Sequence, residues 1–148
     1  MRRLAINIGA NGPLVDLELA ITDLRRQAYI RQRLVPPSPV RVTMLVDTGA
    51  SHTFIDEAAL APLNLSPKDS ATFRSASPLD APDRCNVYDI ALTIGTLADR
   101  NTMTFDPLPI FATPFRDHRH EGLLGRDVLA RLQMAWHGPG ETLELLYP

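Results

Sequence analysis

Several stretches of this chain hold residues whose types and spacing could do chemistry. The sharpest is Met44-Leu45-Val46-Asp47-Thr48-Gly49-Ala50-Ser51. An apolar, β-branched run there delivers a carboxylate straight into a turn of small residues. Thr48, Gly49 and Ala50 let the backbone turn sharply and approach another segment closely. Asp47 is thus a carboxylate placed where burial and a close partner can tune its proton affinity, as acid–base work requires. Overlapping it, Gly49-Ala50-Ser51-His52-Thr53 begins like a serine nucleophile elbow but lacks the second glycine, and His52 is too close in sequence to serve as base. His118-Arg119-His120, with Asp117 and Glu121, could present two imidazoles to a metal. The plainer reading is a polar loop, because two such histidines do not complete a ligand shell. Gly122 to Gly125 is no phosphate loop, since no Lys-Ser/Thr follows. Arg25, Arg26, Arg31 and Arg33 form a basic cluster without an aromatic platform, which reads as a solvated face rather than a nucleic-acid site.

The elements that must position these groups are short. Thirteen prolines and scattered turn dipeptides cut the 148 residues into segments that favour strands. Val15, Leu17, Leu19 and Ile21 alternate with polar partners, so Leu14 to Ile21 is expected as a half-buried antiparallel strand. A helical turn is expected around Leu24 to Ile30, then a strand over Val40 to Val46 running into Asp47. Thr53 to Ile55 continues as strand, and Asp56 is placed to cap a short helix over Glu57 to Leu60. Ala71 to Phe73 and Asn86 to Ile94 read as the arms of a long hairpin with a polar tip. Thr102 to Phe105 and Leu108 to Ala112 read as two short strands split by Asp106-Pro107. Gly122 to Asp127 is expected as strand and turn, followed by about two turns of helix through Val128, Leu129 and Leu132. Gln133 to Trp136 and Thr142 to Leu146 close the chain as strands. Phe105 and Trp136 are expected in the core, and Cys85 as a small residue in or beside a strand. The expected class is mostly β, in one domain.

Composition bounds the rest. With 45% hydrophobic and 22% charged residues the chain is ordinary for a globular protein, and a formal charge of -2 supplies no field for nucleic acid or an anionic membrane. A lone cysteine permits no intramolecular disulfide. The apolar stretch after Arg2 and Arg3 breaks at Asn7 and Gly12-Pro13, too soon for a signal peptide or a membrane span. A cytoplasmic setting is the expectation.

Val-Asp-Thr-Gly-Ala-Ser resembles the active-site loop of aspartic proteases, with Asp47 at the catalytic position. A second signature strengthens this. Gly122-Leu123-Leu124-Gly125-Arg126-Asp127-Val128-Leu129 resembles the apolar-apolar-Gly-Arg-Asn/Asp segment of the retropepsins, the single-lobed proteases of the retroviral type. The order of the two motifs and the hairpin between them also match, and bacterial retropepsin-like proteins carry a short helix after the loop. The resemblance runs from about Leu14 to the C-terminus, giving a domain over 14–148 and an N-terminal extension over 1–13. It implies a closed β-barrel with a flap hairpin and one or two short helices.

The resemblance also implies a mechanism. Two carboxylates held about 3 Å apart share one proton, so one acts as base toward water and the other as acid. No second Asp is followed by Thr or Ser and then Gly; Asp69-Ser70 continues with Ala71. One chain therefore supplies half a site, and an aspartic endopeptidase would be a homodimer pairing two copies of Asp47 without metal or cofactor. By position in the motifs, Thr48, Gly49, Ala50, Gly125, Arg126 and Asp127 would support the site. Ile55, Leu123 and Leu124 would line subsites, and the flap over Phe73 to Arg84 would bring Ser75, Ala76, Ser77 and Leu79 to a peptide or protein substrate. The chain departs from the retroviral pattern twice. Its expected flap tip has no glycine, and Ser51 stands where the retroviral enzymes place the Asp that pairs with the late Arg. Arg126 must find another acceptor, Asp127 or a carbonyl. These departures motivate the alternative of a non-catalytic dimerisation or peptide-binding module on the same fold.

Overall fold

Alternation of apolar and polar residues, read strand by strand, builds the molecule. The computed structural model describes residues 1–74, 83–96, 98, 100–115 and 119–148. β1 (Arg2–Gly9) and β2 (Gly12–Ala20) come first, then α1 (Asp23–Arg31), β3 (Val40–Val46) and β4 (Phe54–Asp56). A 3-10 helix (Glu57–Leu63) leads to β5 (Asp69–Phe73), β6 (Asp83–Thr96) and β7 (Asn101–Thr113). β8 (Gly122–Leu124), α2 (Arg126–Leu129), β9 (Gln133–His137) and β10 (Thr142–Tyr147) complete it.

β2, β3, β8, β4, β7 and β6 follow one another in hydrogen-bonded order, and the β6–β2 pairing closes the ring into a barrel. Closure leaves no free edge within it. Each strand turns its alternate residues inward. Val15, Leu17 and Leu19 of β2, Val42, Met44 and Val46 of β3, and Ile90, Leu92 and Ile94 of β6 meet Phe105, Leu108 and Ile110 of β7 in one core. Cys85 is buried in β6, and burial pushes its thiol pKa up, which keeps it a neutral packing group.

Several elements are longer or shorter than their sequence patterns indicate. β7 is one continuous strand through Asp106-Pro107, whose peptide bond is cis, and not two strands. The missing amide of Pro107 falls where the β6–β7 register shifts between Ile90 and Leu92. The 3-10 helix runs on to Leu63 because Leu60 and Leu63 both reach the core, and it starts where the Asp56 carboxylate accepts from the Ala58 amide. α2 is a single turn, not two. α1 starts at Thr22, whose hydroxyl accepts from the Arg25 amide, and it buries no residue; Arg25, Arg26 and Arg31 on it and Arg33 beyond it are exposed.

Residues 1–13 lie in the same sheet. β1 pairs antiparallel with β10 and meets β2 at its end, and Ile6 sits in the core. Phe105 is buried as expected, but Trp136 is not: β9 projects beyond the barrel and leaves its indole 59% exposed. Among the described residues no helix is long and apolar enough to cross a membrane.

Candidate active site

The Asp47 turn is held by a strand that arrives from much later in the chain. β8 lies between β3, to which it is parallel, and β4, to which it is antiparallel. It therefore passes between the two strands that the Asp47 turn connects. The Asp47 amide donates to the Leu124 carbonyl at 3.0 Å, and the Arg126 amide donates to the Ala50 carbonyl at 2.9 Å. Glu121 prepares this entry: its amide donates to the Thr43 carbonyl, its carbonyl accepts from Asp56, and its carboxylate accepts from the Thr43 amide.

Within the turn, the Gly49 amide donates to Asp47 Oδ1 at 2.8 Å, and the Ala50 amide closes the turn on the Asp47 carbonyl. The carboxylate is thereby oriented by the backbone of its own loop. Arg126 does find a carbonyl: its Nη1 donates to Thr48 O at 2.8 Å. Asp127 serves Thr53 instead. Its two oxygens accept from the Thr53 hydroxyl at 2.7 Å and the Thr53 amide at 3.0 Å, while the Thr53 hydroxyl accepts from the Gly125 amide at 3.1 Å. Thr53 is fully buried, so this network satisfies polar groups that water cannot reach.

Gly125 is required by space. A Cβ there would meet the His52 carbonyl oxygen at 2.2 Å and the Thr53 nitrogen at 3.0 Å, both of them backbone atoms that cannot swing away. Gly125→Ala is expected to lose at least about 2 kcal/mol of stability, measured by urea unfolding. A midpoint equal to that of the parent would show that the two loops are free to separate.

Asp47 opens onto a cavity of about 590 Å³. Gly49, Ala50, Ser51 and His52 form its floor beside the carboxylate, and Leu123 and Phe54 continue that floor on paired strands. Thr72, Phe73 and Arg74 descend from the β5 arm, and Phe111, Thr113 and Phe115 form the opposite wall. The wall is aromatic and interlocked. His52 stacks flat on Phe111 with centroids 4.4 Å apart, and Phe54 meets Phe73 and Phe111 edge-on at 5.0 and 5.5 Å.

The motif positions thus divide. Asp47, Gly49, Ala50 and Leu123 face the cavity, Thr48 is exposed at the tip of the turn, and Gly125, Arg126 and Asp127 buttress it from behind. Ile55 and Leu124 do not line this cavity. Both are fully buried in the core, because alternation turns their neighbours Phe54 and Leu123 to the cavity and turns them away. Ser75, Ala76, Ser77 and Leu79 lie outside the described residues, as do Asp117 and His118 of the histidine group. Among the described residues no three His, Cys, Asp or Glu side chains gather as metal ligands.

The aromatic wall and Thr53 are absent from the sequence-level expectation. A signal for the wall existed: in β7 the buried Ile110 and Ala112 alternate with Phe111 and Thr113, so the latter pair must face outward.

A six-stranded closed barrel with an Asp-Thr-Gly turn locked by a late Gly-Arg-Asp strand defines the single-lobed, retropepsin-like class of aspartic protease. The chain belongs to the aspartyl protease family, whose model matches residues 38–128. A solved retropepsin-like aspartic protease from Rickettsia conorii has a similar fold, with a TM-score of 0.63 at 15% identity over 98% of this chain and 90% of that one. No curated protein sequence matches the chain significantly.

Proposed function

We propose that the protein is an aspartic endopeptidase that acts as a homodimer, one Asp47 from each chain activating a single water. The observation that carries this reading is a backbone-oriented carboxylate, the one acidic group among the described residues that line an open, largely apolar cavity. At a two-fold axis the two carboxylates share one proton. The ionised member takes a proton from water as it attacks the peptide carbon, and the protonated member donates to the carbonyl oxygen. The pair supplies both base and acid, so the mechanism calls for no cofactor.

The substrate lies extended across both copies, its backbone pairing with floor and flap and its side chains meeting the aromatic walls. Thr48, exposed at the tip of the turn, is the residue that meets the partner loop. The alternative of a non-catalytic module loses one of its two motives. Thr48 O gives Arg126 an anchor without the retroviral Asp, so Ser51 is no defect in the loop.

The test is cleavage of a quenched-fluorescence peptide pool across protein concentration. Specific activity is expected to fall in proportion to concentration below the dimer dissociation constant and to level off above it. Constant specific activity in a chain that sediments as a monomer would remove the homodimer mechanism.

A further inference from the structure

Among the described residues that line the cavity, the ionisable ones besides Asp47 are His52 and Arg74, and both are bases. The other rings of its wall, Phe54, Phe73, Phe111 and Phe115, are hydrocarbon; His52 is the one ring with nitrogens. It lies on Phe111 with the planes 9° from parallel and the centroids 4.4 Å apart. In that pose its nitrogens lie in a plane parallel to the Phe111 ring, so neither can donate to the ring face. Among the described residues they have no other partner, and Arg74 is in no ion pair. Both side chains are exposed, so water serves their N–H groups in the free protein. A bound peptide takes that water away, and an apolar side chain in its place leaves the donors unpaired.

We propose that His52 and Arg74 make one subsite of this cavity selective for an acidic side chain, Glu or Asp, of the peptide. The proposal rests on the reading of the cavity as a peptide site and names what that peptide carries. The two residues act differently. An imidazole in either protonation state has an N–H to donate, and Phe111 holds this ring flat, so little freedom is lost when it meets an acceptor. His52 therefore distinguishes an oxygen-bearing side chain from an apolar one. Arg74 carries a charge at every working pH, and in an apolar cavity emptied of water that charge is felt without direct contact. It distinguishes a carboxylate from a carboxamide.

The test is peptide binding in the Asp47→Asn background, read by fluorescence anisotropy, so that cleavage does not intervene. Labelled apolar peptides carry Leu, Gln or Glu in turn at each position. At one position Gln is expected to bind at least about 5-fold tighter than Leu, and Glu at least about 5-fold tighter than Gln. Adding His52→Phe keeps a ring on Phe111 and removes both nitrogens, and it is expected to erase the step from Leu to Gln. Adding Arg74→Gln is expected to erase the step from Gln to Glu and to keep the first. A merely structural role for either residue would weaken all three peptides alike. That result, or no preference at any position, would overturn the proposal. Cleavage by the parent without preference for Glu would reject this subsite and leave the protease standing. Selective binding by the Asp47→Asn chain, with no peptide cleaved by the parent, would reject the protease and leave the subsite.

Discussion

Asp47→Asn is expected to lower kcat/KM for a cleavable peptide by at least about 10³-fold while the fold and the dimer persist. The reasoning is local. Asn has the same shape, and its amide oxygen can still accept from Gly49 N, which lies 2.8 Å from Asp47 Oδ1. The turn keeps its closure, so unfolding should move little. In the proposed mechanism, what disappears from both copies at once is the pair of groups that shares a proton and passes it between water, carbonyl and leaving amine. A mixing experiment separates this from a one-chain mechanism. Adding a tenfold excess of the Asn variant to a fixed amount of parent should cut activity to about a tenth, because most parental chains then sit in mixed dimers. Undiminished activity in the mixture would mean that one Asp47 suffices.

The second large effect is on stability. Thr53→Val keeps the volume and removes one hydroxyl, yet that hydroxyl donates to Asp127 Oδ1 and accepts from Gly125 N. The substitution leaves the buried Gly125 amide unpaired and takes from Asp127 Oδ1 one of its two donors, the Val128 amide remaining, at a cost of about 3 kcal/mol. For a chain of this size that corresponds to a loss of roughly 8–12 °C in Tm. Thr53→Ser, which retains the hydroxyl, should recover more than half of the loss. If Val kept the parent's stability while Ser lost it, the network would contribute nothing and the methyl group would be what matters. Activity is a second readout, because Thr53 is followed directly by Phe54 of the cavity wall.

Much of this was legible before any coordinates. Leu14 to Ile21 alternates so regularly that its inward face could be named, and Val15, Leu17, Leu19 and Ile21 are all buried. The Asp47 loop and the Gly125-Arg126-Asp127 segment announced themselves by residue type and order. Less legible was anything set by cross-strand register. Motif adjacency points to Ile55 and Leu124 as subsite residues, but a one-residue step along a strand reverses the face, and the cavity takes Phe54 and Leu123. The continuity of β7 is hidden because Pro107 reads as a break in one dimension, whereas in the sheet Asp106 and Pro107 bulge together opposite Ala91 of β6. Trp136 misled for a related reason. Its size argues for burial, and nothing local reveals that β9 runs past the barrel. The sequence leaves Arg126 with Asp127 or a carbonyl as its partner, and only the turn geometry selects Thr48 O.

The insertion of β8 between β3 and β4 has a consequence for how the chain is made. Asp47 emerges during synthesis about 75 residues before Gly122, the first residue of the strand that holds its turn. At ordinary elongation rates that interval is roughly 4–15 s. Throughout it the turn's backbone has neither the Leu124 carbonyl nor the Arg126 clamp, and the turn is an open loop of a partly synthesised chain. The reactive geometry is therefore one of the last things to form, and it forms only after the barrel that contains it is nearly all present. Under the proposed function, this ordering is a safeguard in time: the growing chain carries no assembled site until its last barrel strand has been made.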